Sequence, residues 1–372
     1  MRAVSHPSIP FTDLHLEQED LDAVAGVLRS GLLAMGPRTA EFEEAFAEHL
    51  GARHAVAVSS CTAALHLAYL AAGVGPGDEV VVPSFTFAAT ASAVLYCGAT
   101  PVFADIVGPE DLGVDPEDVA DRIGPKTKAV ACVHFAGYPA AADRLSELCA
   151  ERGLALIEDA AHAPSASLGA HKLGTIGLAG AFSFFSNKIL SVGEGGLLAT
   201  DDEAVAELAR TRRSPGMTSD GDVASLGFNY RLDEPRSALA LSRLPRLEAD
   251  IDRRRELVRA YRERLSGLDG LFVPYQDSDV ASSSCYVMPV MLRDPGRREG
   301  FRDHLRDGHG VQTSILYPAI HEFTAYRERY PGVSLPRTEL AARSEVTLPL
   351  FPHMTDAQHD RVCVAVEEAL SL

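Results

Sequence analysis

The stretch His54-Ala55-Val56-Ala57-Val58-Ser59-Ser60-Cys61-Thr62-Ala63-Ala64-Leu65-His66-Leu67 joins an apolar run, a short polar turn and an apolar helical segment. Residues 54–58 show no polar–apolar alternation, which predicts a strand covered on both faces. Thr62–Ala72 follows as a helix. The same unit recurs downstream. Strands are predicted at Glu79–Val82, Pro101–Ala104, Ala129–Phe135, Leu154–Ile157, Ala181–Phe185 and Leu197–Thr200, with helices at Ala88–Tyr96 and Ala141–Arg152. Strands alternating with helices make an α/β domain whose large, mainly parallel mixed sheet is covered by helices.

Beyond residue 212 the pattern changes. Residues 213–230, from Arg213-Ser214-Pro215-Gly216-Met217 onward, read as a long polar loop, and such loops in compact domains are more often functional than structural. Asp233–Leu265 is helical and broken at Pro245. Its run Arg253-Arg254-Arg255 is interleaved with Glu248, Asp250, Asp252, Glu256 and Glu263, the pattern of a solvated helix face rather than a phosphate patch. From about 270 a smaller α+β unit is expected, with strands near Tyr286–Leu292 and Val311–Leu316 and helices near Arg297–Arg306 and Asp356–Leu370. At 372 residues two units are expected: a large domain with an N-terminal arm over 1–240 and a smaller C-terminal α+β domain over 241–372.

Composition narrows the function. With 34 Lys+Arg against 52 Asp+Glu the net charge is −18, which argues against nucleic acid or an anionic membrane as a partner. The six cysteines have no C-x-x-C spacing; five read as core thiols of a reducing compartment, not as disulfides or a zinc site, with Cys61, in a polar turn, the exception, and no metal is expected. The start, Met-Arg-Ala-Val-Ser-His-Pro, lacks a signal peptide's apolar stretch, and Ser59, Ser60, Thr62 and His66 interrupt the longest apolar region. A cytoplasmic location is expected. The cations include just four lysines, Lys126, Lys128, Lys172 and Lys188.

In open α/β sheets ligands bind beyond the carboxyl ends of the strands. Three polar groups stand at such ends. Ser59-Ser60-Cys61-Thr62 is either an ordinary N-cap or a phosphate site of amides and hydroxyls. Glu158-Asp159 is either a turn or a carboxylate awaiting a cation, such as an Arg or a protonated ring nitrogen. Ser183-Phe184-Phe185-Ser186-Asn187-Lys188, followed by Gly193-Glu194-Gly195-Gly196, places a lysine where solubility does not explain it, and a desolvated amine can form a Schiff base. A loop lysine is the plain alternative. Together the three meet the needs of pyridoxal 5′-phosphate, PLP. Phe87 could stack on its ring or simply pack in the core.

These residues carry a resemblance that runs almost the full length. Gly36-Pro37 with Glu41-Phe42-Glu43, Ala57–Leu65, Gly75-Pro76-Gly77-Asp78-Glu79-Val80, Pro83-Ser84-Phe85-Thr86-Phe87, Glu158–Ala163, Phe182-Ser183-Phe184 to Lys188, Asn229-Tyr230-Arg231, Tyr317-Pro318 with His321, and Leu348-Pro349-Leu350-Phe351 recur in order. The chain resembles the DegT/StrS-type sugar aminotransferases, which have the fold type I architecture of aspartate aminotransferase. The resemblance implies that Lys188 carries PLP as a Schiff base and Asp159 pairs with its ring nitrogen. Phe87 stacks on the ring and His162 sits beside it. Ser60, Cys61, Thr62 and Ser183 hold the phosphate, joined by Asn229 from the partner subunit of a homodimer with shared active sites. Asn187, Arg231, Tyr317 and His321 are placed near the substrate. Position 61 is often Gly in the family and 162 often Gln.

The expected activity is transfer of an amino group from L-glutamate to a nucleotide-linked keto-sugar, by a ping-pong cycle through pyridoxamine 5′-phosphate. A keto-cyclitol aminotransferase, a PLP-dependent sugar dehydratase and a silent binding protein are the alternatives. Relatives that dehydrate carry His in place of the lysine, so Lys188 favours transamination.

Overall fold

The computed structural model describes residues 8–215, 222, 223 and 225–372. Part of the loop expected over 213–230, including Met217, lies outside them. Seven strands form the main sheet: β1 (His54–Val58), β2 (Glu79–Pro83), β3 (Thr100–Ala104), β4 (Thr127–Val133), β5 (Ala155–Asp159), β6 (Ala179–Ser183) and β7 (Gly196–Thr200). Their order is β1-β7-β6-β5-β4-β2-β3, and β7 alone runs antiparallel to its neighbours. Val80, Val81 and Val82 are fully buried, as are Val130, Ala131 and Cys132, so the uninterrupted apolar runs do correspond to strands covered on both faces.

The helices follow from local sequence. Those needed here are α1 (Gln18–Ser30), α2 (Pro37–Leu50), α3 (Cys61–Ala71), α4 (Ala89–Tyr96), α5 (Ala142–Arg152), α6 (Glu203–Arg212), α7 (Glu234–Arg243) and α8 (Leu247–Leu265). In α3 the residues from Ala63 to Tyr69 are all buried, which is why it carries almost no charge. Ser60 caps it, its hydroxyl accepting from the Ala63 amide at 3.2 Å, a contact worth about 1 kcal/mol. Gly36-Pro37 opens α2, and the buried Glu234 of α7 accepts from the amides of Gly36, Arg38 and Thr39 at 2.8–2.9 Å. Burial alone would raise the Glu234 carboxyl, but these amides outweigh it and hold the group below its ordinary value. The break at Pro245 appears as a single 3₁₀ turn, Leu244–Arg246, between α7 and α8.

A second, three-stranded antiparallel sheet comprises β8 (Leu271–Phe272), β9 (Met288–Leu292) and β10 (Glu345–Leu348). The expected strand Val311–Leu316 does not form. Residues there make single bridges, Val311 to Ile9 and Ser314 to Thr347, while the Leu316 amide donates to the Glu345 carboxylate at 2.8 Å instead of to a strand. The expected helix 297–306 forms, but it changes type partway. Its α-helical part, α9, spans Arg298–Asp303, and a π-helical turn covers His304–Gly308. The C-terminal helix α10 spans Asp356–Ser371. All six cysteines are buried and free. Among the described residues no helix is long and apolar enough to cross a membrane.

Candidate active site

Register brings the polar strand ends together. Gly196, the first residue of β7, pairs with Val58 on one side and with Ser183 on the other. One strand further, Ala181 pairs with Asp159. The end of β1, the end of β6 and the end of β5 therefore share one edge of the sheet. They open into a cavity of about 310 Å³ lined by Ser60, Cys61, Thr62, Phe87, Asp159, His162, Ser183, Asn187, Lys188 and Tyr317 among others.

The phosphate-site reading of Ser59–Thr62 gains physical content here. The Ala63 amide is taken by Ser60 Oγ and the Ala64 amide by the Ser60 carbonyl. Among the described residues the amides of Cys61 and Thr62 have no partner, so the helix start presents two free donors and its positive dipole end to the cavity. The backbone of β7 approaches so closely that a Cβ on Gly196 would lie 2.2 Å from the Ser60 carbonyl carbon. Burial, and then the Asp159 charge, push the Cys61 thiol well up, so it sits there as a neutral group.

The two adjacent carboxylates of β5 have opposite environments, because successive strand residues face opposite sides. Glu158 is enclosed in protein. It takes a hydrogen bond from His134 Nε2 at 3.0 Å and from the amides of Gly174, Ile176 and Gly177 at 2.7–2.8 Å. Burial would raise its pKa, but His134 and these amides bring it below the usual value. Asp159 faces the cavity. Thr90 Oγ1 donates to it at 2.7 Å and the Ala161 amide at 3.2 Å, and among the described residues no Lys, Arg or His lies within ion-pair distance. Burial, the dominant effect, raises its carboxyl above the ordinary value despite Thr90, Ala161 and Lys188. A buried carboxylate without a cation is a costly arrangement, and a cationic ring nitrogen would relieve it.

Lys188 sits in the connection between β6 and β7. That connection is pinned by Phe184 N to Gly195 O at 2.9 Å, Val192 N to Phe184 O at 2.9 Å and Lys188 N to Phe185 O at 2.8 Å. Its ammonium lies 4.4 Å from the centre of the Tyr286 ring. Burial lowers its pKa to about 8, with Asp159 opposing. His162 Nδ1 accepts from the Ala136 amide at 3.3 Å, so Nε2 carries the proton toward the Tyr317 hydroxyl at 3.0 Å. Burial, then the Lys188 charge, hold its pKa well below 6.5, which keeps this ring neutral.

Three of the expected substrate and phosphate residues, His321, Asn229 and Arg231, do not line this chain's own cavity, and Asn229 was expected to serve the partner subunit's site. His321 is buried between Ser84 Oγ, 2.8 Å from its Nδ1, and Glu339, 3.4 Å from its Nε2, and does not face the cavity. Asn229 is exposed beside the helix start, in a strand-like run where Tyr230 O accepts from Ser59 N at 2.7 Å. Its Oδ1 takes a hydrogen bond from Arg231 at 2.7 Å, and neither side chain lines this chain's own cavity. Phe87 lies at the cavity with 59% of its surface exposed, not in the core. Asn187 Oδ1 is buried without a partner, an acceptor left for something the cavity holds. Thr90 and Tyr286 were missed. Thr90 shares the Ala-rich α4 with the hydroxyls of Ser92 and Tyr96, so nothing in the sequence singles it out; Tyr286 sits in an apolar strand-like run and gives no signal either.

Free amides at a helix start, a backbone cradle that a Cβ would fill, a buried carboxylate lacking its cation and a desolvated lysine fit PLP in every part. Comparison with known proteins agrees. Residues 15–367 match the model of the DegT/DnrJ/EryC1/StrS aminotransferase family. The spore coat polysaccharide biosynthesis protein SpsC of Bacillus subtilis (strain 168) is 36% identical over 376 aligned residues, covering 97% of this chain and 96% of its own. The aminotransferase TlmJ from Streptoalloteichus hindustanus, solved by crystallography, is 38% identical with a TM-score of 0.92, over 98% of this chain and 99% of its own. NtdA from Bacillus subtilis, whose crystal structure holds the cofactor PMP, is 26% identical with a TM-score of 0.89, over 100% of this chain and 87% of its own. The chain belongs to the DegT/DnrJ/EryC1/StrS aminotransferase family, as an aminotransferase whose cofactor is pyridoxal 5′-phosphate.

Proposed function

We propose that the enzyme moves the amino group of L-glutamate to the carbonyl of a nucleotide-linked keto-sugar, in two half-reactions joined by the pyridoxamine form of the cofactor. The observation that carries this reading is the meeting of Lys188 and Asp159 in one cavity with a free anion site between them and the β1 edge. A polysaccharide biosynthesis role for the relative SpsC supports a sugar acceptor. When bound, the cofactor supplies an electron-withdrawing ring that stabilises negative charge at the carbon bearing the amine.

The protein's own groups do the rest. The amides of Cys61 and Thr62, with the hydroxyls of Ser60, Thr62 and Ser183, hold the phosphate. Asp159 holds positive charge on the ring nitrogen, and Thr90 fixes its carboxylate at 2.7 Å. Phe87 would stack on the ring and His162 would sit beside it, with the His162 Nε2 proton directed to Tyr317. Lys188 Nζ, its pKa lowered by burial to about 8, would hold the cofactor as a Schiff base and, once freed by the donor amine, would act as the base and then the acid that moves the donor's Cα proton. Asn187 accepts a hydroxyl or amide proton from the substrate through its free Oδ1.

The test is incubation with glutamate and a panel of thymidine-, uridine- and guanosine-diphospho keto-sugars, with mass detection of the product. An amino sugar formed at the expense of glutamate is the expected result. A deoxygenated product that needs no donor, or amination of a keto-cyclitol alone, would replace this reading.

The site is shared between the subunits of a homodimer in this proposal, each subunit dividing into a large domain to residue 240 and a smaller one beyond. Asn229, exposed, and Arg231, half-buried, both outside their own cavity, serve the neighbouring cofactor phosphate and substrate. Chains carrying Lys188→Ala and chains carrying Asn229→Ala, each impaired alone, should regain activity when unfolded and refolded together. In a mixed dimer one site collects both lesions and the other is native. Mixing that restores nothing would show that Asn229 serves its own chain.

A further inference from the structure

We infer that His304, His309 and Glu368 form a binding site for a divalent transition-metal ion of the zinc type. None of the three lines the cavity around Lys188. The argument begins with spacing. In Asp303-His304-Leu305-Arg306-Asp307-Gly308-His309 the histidines are five apart, and on an α-helix such residues point roughly 140° away from each other. The π-helical turn at His304–Gly308 changes that. Its i→i+5 closure stacks residues five apart on one side, and turns of this kind recur at functional sites. The two rings accordingly lie 5.3 Å apart between centres.

Glu368 of α10 completes the set. His309 Nε2 is 3.0 Å and His304 Nε2 3.8 Å from the same carboxylate oxygen, and the three ligand atoms all lie within 4.8 Å of one another. His304 Nε2 is buried and has no hydrogen-bond partner, so the turn holds a lone-pair donor that the fold itself does not use. Tetrahedral zinc, with bonds of about 2.0–2.1 Å, needs ligand atoms roughly 3.3 Å apart. From separations of up to 4.8 Å the His304 ring has to swing inward, by about 0.5 Å toward Glu368 and by at most about 1.5 Å toward His309. The histidine side chains are 24% and 17% exposed and Glu368 is 57% exposed, which leaves a solvent side for a water as fourth ligand. Two imidazoles and a carboxylate suit zinc, nickel or copper and not calcium or magnesium. The no-metal expectation rested on cysteine spacing alone and did not weigh these histidines, whose five-residue separation gives no shared face on an ordinary α-helix.

A bound ion would tie the π turn to the C-terminal helix and stabilise the fold without touching the chemistry. Untagged holoenzyme, freed of metal and dialysed against about 10 µM zinc chloride, should retain one zinc per chain more than a His304→Ala/His309→Ala double variant does. Its melting midpoint should rise by about 2–4 °C with zinc, and the double variant's should not move. Glu368→Gln, a change at an exposed position, should weaken retention about tenfold, which keeps the test decisive if the double variant folds poorly. Metal-free transamination should be equal in all three proteins. Equal zinc retention by the native protein and the variants, or no retention by the native protein, would overturn the assignment.

Discussion

Replacing Lys188 by Ala should abolish borohydride fixation of the cofactor to the chain and lower amino transfer by at least about 10⁴-fold, since one amine supplies both the covalent link and the proton transfer. Lys172→Ala should leave both intact, because Lys172 is spent on the Ser165 carbonyl at 3.0 Å and on Glu248 at 3.3 Å. Lys126 and Lys128 are exposed on the surface. The pH dependence gives a second readout. The amine must be neutral to attack the cofactor, and burial has brought its pKa down from 10.5 to about 8. Reconstitution of apoenzyme should therefore speed up as pH rises to about 8 and then level off. Fixation of the cofactor to Lys126, Lys128 or Lys172, or a rate still climbing at pH 10, would refute the assignment.

Asp159→Ala should slow each half-reaction by about 10²–10³-fold while the phosphate site still retains some cofactor. Asp159→Asn separates charge from shape. The amide can hold the Thr90 contact but cannot hold a proton on the ring nitrogen, so its half-reactions should be nearly as slow as those of the alanine variant. Stopped-flow spectra of the cofactor after mixing with glutamate provide the measurement. A near-native rate in Asp159→Asn would mean that position, not charge, is what this residue provides.

How much of this was legible in the sequence varied with the physics behind each feature. The Val- and Ala-rich runs gave β1, β2 and β5 within one or two residues, because burial on both faces leaves a continuous apolar record. Lys188 stood out by scarcity. Glu158 and Asp159 could be placed at a strand end, yet which of them faces the cavity depends on where the facing layers lie. Thr90 and Asp159 meet across 69 positions, and nothing local in either segment announces the contact. His321 is a different case. The resemblance placed it near the substrate with Tyr317, whereas in this chain the short turn Ile320–Glu322 seats it against Ser84, off the cavity lining. Where Val311–Leu316 read as a strand, its apolar pattern was satisfied by packing and its amides by a carboxylate and single bridges.

The alternation of Glu158 and Asp159 along β5 has a consequence for how this chain can vary in length. One carboxylate belongs to the scaffold and its neighbour to the chemistry, and what separates them is a single step of the pleat. An insertion or deletion of one residue within 155–158 would exchange the two, setting the longer acid in the cavity and the shorter one opposite His134 and the amides of Gly174, Ile176 and Gly177. Both would then miss their partners. Length changes in this family member should accordingly be confined to surface connections, such as the turn at residues 109–110, with β5 kept at constant count between its neighbours β4 and β6.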